Sequence, residues 1–181
     1  GDLLERVRVM TALGVTPYSG TSLVAAGEHK IMLDEHVLPS MAALVERISQ
    51  AHDERRGVAL HCVTRIELLF ALAALEEAGT GRRDRLEHAS VVPGDVLSRM
   101  RALGITVVSQ PGLLLNRGDG YLRDVDRRDW NDLYRAASLV AAGIPYGCSS
   151  DAPYGPADPW AGMRAAVTRL TAAGAAVGAS E

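Results

Sequence analysis

"GVALHCVTRIELLFALAALEEAGT", residues 57–80, holds one complete strand–helix unit. A short apolar run over 58–63 has strand length. Thr64 and Glu67 then form the T-x-x-E signature in which a hydroxyl and a carboxylate satisfy the first free amides of a helix. A helical pattern over 66–78 follows and stops at Gly79, where a left-handed residue is wanted and glycine adopts it at little cost.

Outward from this unit the same rhythm repeats. Further helices are expected near 39–56, 93–103, 129–142 and 158–173, and strands near 84–90, 105–110 and 144–150. Gly57, Gly104, Gly143 and Gly174 close the other helical patterns, and Pro93 suits a first helical turn. "RVRVMTA" (6–12) and "HKIMLD" (29–34) read as two earlier strands, with no clear helix between them. Strands separated by single helices pair in parallel through right-handed crossovers. The chain is therefore α/β. Residues 111–128, "PGLLLNRGDGYLRDVDRR", break the rhythm and are expected to form a long connection that acts as a substrate lid.

Composition narrows the function. The 181 residues, 48% of them hydrophobic, suffice for one sizeable core. A formal charge of −3 with no basic block argues against nucleic acid or an anionic membrane as partner and favours a small molecule. The longest strictly apolar run, "LLFALAAL" (68–75), is far short of the roughly 18 residues of a membrane span. Cys62 and Cys148 lack metal-ribbon spacing and read as small buried thiols in a reducing cytoplasm. The start at Gly1, without a basic-then-apolar leader, reads as a cut or processed end.

Four polar residues stand where a parallel sheet normally has aliphatics: Lys30, His61, His88 and Asp151. His61, His88 and Asp151 each fall near a strand end, and in parallel α/β folds ligands gather at the carboxyl ends of strands. Singly, each fits a hydrogen-bonded core histidine or a turn-capping aspartate. Together, two imidazoles and a carboxylate form a ligand set suited to Zn²⁺ or a similar divalent ion. Lys30 is the one lysine beside 18 arginines. Burial can strip a lysine of its proton, whereas arginine keeps its charge, and a neutral amine can add CO₂ to become a carbamate that bridges two metal ions. A solvated surface charge is the plain alternative. His52 is expected to be solvated, His36 to lie near the site at most, and Glu87 to point away from His88 into helix packing or an ion pair. Arg117, Asp119, Tyr121 and Arg123 in the long connection, with Gln110 and Ser150, could meet substrate.

The motifs "KIMLDEH", "VALHCVTRIELLFALAAL", "DRLEHASVVP", "GITVVSQPG", "NRGDGYLRDV" and "SSDAPYGPADPW" resemble the metal-dependent amidohydrolase superfamily over about residues 28–181, and within it the YtcJ-like branch that includes N-substituted formamide deformylases. The resemblance implies a (β/α)8 TIM barrel whose fourth, fifth, sixth and eighth strands end in Lys30, His61, His88 and Asp151. It also implies one or two zinc ions held by those residues, a carboxylated Lys30, and Asp151 as the base that takes a proton from the attacking water and returns it to the leaving nitrogen. Arg117 and Tyr121 would bind substrate. The implied reaction is cleavage of a C–N bond in an amide, formamide or cyclic amide.

The family's first-strand His-x-His pair is absent from this sequence, and a complete barrel typically needs about 250 residues. The chain is thus expected to be a partial barrel over residues 1–181, roughly strands three to eight, inactive alone and prone to self-association unless a preceding segment covers its open edges. Two other readings stay open: a decarboxylase or esterase on the same metal scaffold, and a non-catalytic, metal-free α/β binding module.

Overall fold

The computed structural model describes residues 7–15 and 23–181. Six strands form one parallel sheet in sequential order: β1 (Val7–Thr11), β2 (Val24–Met32), β3 (Val58–Cys62), β4 (Arg85–His88), β5 (Thr106–Ser109) and β6 (Tyr146–Cys148). Helices α1 (Met41–Asp53), α2 (Arg65–Ala78), α3 (Leu97–Leu103), α4 (Leu113–Asp124), α5 (Ala136–Ala141) and α6 (Pro159–Thr168) intervene or follow. This is a partial (β/α) TIM barrel. Among the described residues no strand pairs with the outer edge of β1 or β6, and none of the helices is long and apolar enough to cross a membrane.

Register divides the sheet into two faces. Ile31, Leu60, Leu86, Val107 and Tyr146 are mutual neighbours across β2–β6. All but Tyr146 are buried, against Leu44 and Ile48 of α1 and Leu68, Leu72 and Leu75 of α2. Each such aliphatic side chain contributes about 1.5–3 kcal/mol on burial. The alternate residues Met32, His61, Glu87, Val108 and Gly147 share the inner face. Below them lies an ionic layer: Glu28 approaches Arg85 at 3.4 Å, and Arg85 donates to Glu87 at 2.6 Å. Glu87 therefore joins an ion pair on the barrel's inside instead of packing against a helix.

The T-x-x-E signature forms in full: the Thr64 hydroxyl accepts from the Glu67 amide while the Glu67 carboxylate accepts from the Thr64 amide. That carboxylate also accepts from Val63 and Glu35, tying the ends of β2 and β3 to α2. Strand β2 begins at Val24, five residues before the apolar run in the sequence.

Several local expectations are corrected. Residues 113–124 of the anticipated lid form α4, because a helical stripe of Leu114, Gly118, Leu122 and Val125 docks on the body of the protein. Gly118 permits that close approach, since a Cβ there would stand 2.7 Å from Thr171 Cγ2. The expected helix over 129–142 breaks into a 3₁₀ turn, Arg127–Asp132, and α5. At their junction the Asp132 carbonyl accepts from Val92 and the Tyr134 amide donates to Ser90, both beyond β4, and buried Arg169 donates to the carbonyls of Leu133 and Tyr134. Arg169 itself, with φ 53°, ends α6 short of Gly174. Gly57 serves close approach to the Arg83 carbonyl instead of a left-handed turn, which Arg55 takes. His52 is not solvated: its ring bonds both carboxylate oxygens of buried Asp84 at 3.0 Å. Cys148 is exposed because it sits on the edge strand, whereas Cys62 is buried in the core.

Candidate functional site

A cleft of about 440 Å³ opens at the carboxyl ends of the strands, a size suited to a small molecule. Lys30, His61, His88, Asp151, Arg117 and Tyr121 all line it. Lys30 comes from β2 and His61 from β3, both by ordinary alternation onto the inner face. His88 arrives differently. Its register partner is Cys62, whose side chain lies in the core, so regular alternation would turn the imidazole toward the helices. A left-handed backbone at His88 (φ 70°) and Ala89 (φ 43°) redirects it, a conformation that non-glycine residues adopt mainly where the surroundings enforce it.

The two imidazoles meet edge to face, with centroids 4.4 Å apart. Burial, then the neighbouring His88 and Lys30, pushes the His61 ring down to about 4. His88 is lowered by burial and by Lys30 against the opposing pull of Asp151. Both rings are accordingly neutral near pH 7 and keep a lone pair for a cation. Burial also lowers the Lys30 ammonium, while Glu87 and Asp151 oppose the shift. Among the described residues no three His, Cys, Asp or Glu side chains converge closely enough to complete a metal shell. The donor set fits a divalent ion in kind, with two neutral imidazoles at its centre, and leaves the shell short of ligands.

Asp151 follows β6 with φ 52°, held by Tyr154 and Gly155, whose amides both donate to its carbonyl. Gly155 is needed here, because a Cβ would stand 2.1 Å from the Ser150 carbonyl oxygen. The turn after the carboxylate thus closes too tightly for any other residue.

The other candidates do not line this cleft, although the Gln110 side chain stands next to the His88 ring. Gln110 donates to the Ser149 hydroxyl and joins two strand ends, and the Ser150 hydroxyl accepts from the Ala152 amide. Arg123 pairs with Asp124 in solvent, and neither His36 nor Asp119 lines the cleft. Polar residues that the sequence did not single out, Ser90, Tyr134 and Tyr154, join Met32, Val63 and Leu113 in the wall. Ser90 follows His88 by two positions and Tyr154 follows Asp151 by three, so proximity to the polar strand ends was the available signal; Tyr134 lay inside an expected helix and carried none.

The amidohydrolase family model matches residues 9–181. The chain belongs to the amidohydrolase family. YtcJ of Bacillus subtilis, an amidohydrolase by name, is 27% identical over 124 residues, 67% of this chain and 23% of that protein. The N-substituted formamide deformylase of Arthrobacter pascens is 35% identical over 92 residues, 50% of this chain and 17% of that protein. Among solved structures, an uncharacterized metal-dependent hydrolase from Pyrococcus horikoshii superposes with a TM-score of 0.72 at 25% identity, over 84% of this chain and 35% of that one. This amidohydrolase chain therefore spans under a quarter of the curated relatives it matches and about a third of that structure. By their names these relatives are an amidohydrolase, a formamide deformylase and a metal-dependent hydrolase.

Proposed function

We propose that this chain is the metal-binding part of an amidohydrolase barrel that cleaves a C–N bond in an amide, formamide or cyclic amide. The observation that carries the reading is the pair of neutral imidazoles, His61 and His88, edge to face in the same cleft as Lys30 and Asp151. In this reading His61, His88, Asp151 and Lys30 hold one or two divalent ions, zinc by the nitrogen-rich donor set. A bound ion would supply Lewis-acid polarisation of a carbonyl and a more acidic water. Asp151 would serve as the proton acceptor and donor between the attacking water and the leaving nitrogen, as a carboxylate poised at a strand end can. The lowered Lys30 supports carboxylation of its amine, and Arg117 and Tyr121 bind substrate.

The missing ligands would come from the family's His-x-His strand, so residues 1–181 act as a partial domain with little or no turnover alone, and the two open edges invite pairing with a preceding segment or a second copy.

Equilibrium dialysis against zinc with elemental analysis tests the metal site. Saturable binding, weakened by at least about tenfold in H61A and in H88A, is expected. Binding that is absent, or that both variants retain, would sink the metal reading and favour a metal-free module. Intact mass after bicarbonate and zinc loading should show one added CO₂ that K30R abolishes. Brisk hydrolysis of amides by the purified chain would overturn the assignment of incompleteness, and a profile dominated by esters would overturn the C–N assignment.

A further inference from the structure

The cleft has two unlike ends. Lys30, His61, His88 and Asp151 come from the strands, whereas α4 presents Leu113, Arg117 and Tyr121, spaced four residues apart and hence on one helical face. The two cations also differ in their surroundings. Lys30 feels the carboxylates of Glu87 and Asp151. Arg117 has no carboxylate within ion-pair distance among the described residues, and its guanidinium lies over the Tyr154 ring at 5.9 Å. It shares the cleft with the phenols of Tyr121, Tyr134 and Tyr154 and the aliphatic groups of Leu113, Val63 and Met32, and with Asp151 beyond ion-pair distance.

The hydroxyls form a hydrogen-bonded chain. Ser90 Oγ donates to the Tyr134 phenol at 3.4 Å, and the Tyr134 and Tyr121 phenols are 3.0 Å apart. Tyr134 is buried and Tyr121 half-buried, so the Tyr121 hydroxyl, which can donate or accept, is the end of this chain that a ligand can reach. A guanidinium with no carboxylate at ion-pair distance among the described residues, one helical turn from the Tyr121 hydroxyl and beside the Tyr154 ring, has the chemistry of a carboxylate receptor.

We propose that Arg117 and Tyr121 recognise a carboxylate carried by the substrate on a part other than the scissile group, with an apolar or aromatic spacer lying against Tyr134, Tyr154 and Leu113. The substrate class is then an amide bearing a free acid, and α4 is a specificity helix. The inference rests on the reading of this cleft as the substrate site, and its test is independent of metal.

In EDTA, binding of 3-phenylpropionate and of its neutral amide, 3-phenylpropanamide, is measured on the 181-residue chain by isotope-edited NMR titration. The acid is expected to bind about tenfold tighter than the amide, the worth of one charge-assisted hydrogen-bonding site. R117Q removes that preference, R117K retains part of it, Y121F reduces it severalfold, and R128Q, at an exposed arginine outside the cleft, leaves it. Arg117 is exposed, so the variants should fold, which circular dichroism checks. Equal binding of acid and amide by the wild-type chain, or a preference that survives R117Q, would overturn the proposal. A zinc site without acid preference defeats this inference alone, whereas acid preference without a zinc site defeats the metal reading alone.

Discussion

Replacing Gly155 by alanine tests whether the tight turn after β6 holds Asp151 in place. A Cβ at 155 would meet the Ser150 carbonyl oxygen at 2.1 Å and its carbon at 3.3 Å. Contacts below 3.0 Å are essentially never adopted by real Cβ atoms, so the shortfall is about 0.9 Å, and the opposing atom is backbone with no rotamer to yield. The relief available is a shift of the 150–155 segment, which carries Asp151 and both amides that bond its carbonyl. Forced overpacking of this kind costs about 1–3 kcal/mol. Displacing a reacting group by about 1 Å can cost about a hundredfold in rate. Urea unfolding of G155A should give a lower midpoint with an unchanged slope, and zinc affinity should fall with it. Gly147→Ala is the matched control, because nothing lies within 4 Å of a Cβ there; its stability should change by no more than about 0.5 kcal/mol. If G155A unfolds at the same urea concentration as G147A and binds zinc as the wild type does, the steric account of this turn is wrong.

Asp84 is buried and accepts from the amides of Val58 and Gly81 and from His52, so D84A should destabilise by about 3–5 kcal/mol in urea unfolding; a loss under about 1 kcal/mol would contradict this hub. Burial raises the Tyr134 and Tyr146 phenols above their ordinary range. A proton held more tightly in the folded state gives stability that is complete below the unfolded phenol value of about 10 and is lost as pH rises beyond it. Phenolate absorbance should therefore show Tyr134 and Tyr146 still protonated until alkaline unfolding, and titration of both in the folded protein, followed with Y134F and Y146F, would refute it. Of the two thiols, exposed Cys148 should react with a disulfide reagent in the native chain while Cys62, buried and shifted upward, waits for unfolding; equal rates would count against the fold.

The alternation of strand and helix was legible because strands buried in a parallel sheet read as short apolar runs and because Thr64 and Glu67 announce a helix start in purely local terms. The polar residues of the candidate site were legible as well: Lys30, His61, His88 and Asp151 stand out against aliphatic neighbours. What α4 would do was not. Two glycines lower its helical propensity, and docking of Gly118 on Thr171 reverses that preference. Tyr134 was hidden for a related reason, since its removal from a helix depends on bonds to Ser90 and to Arg169, residues 44 and 35 positions away.

The order of its apolar runs, caps and stops makes this chain a succession of parallel βα units, and its residue types decide that imidazole, amine and carboxylate are available at strand ends. Only the folded structure decided which of them face one cleft. Side-chain direction follows from φ and ψ, and at His88 those angles are left-handed, against the alternation that the local sequence implies. Such a conformation persists through the contacts of distant segments, which no single stretch of sequence contains.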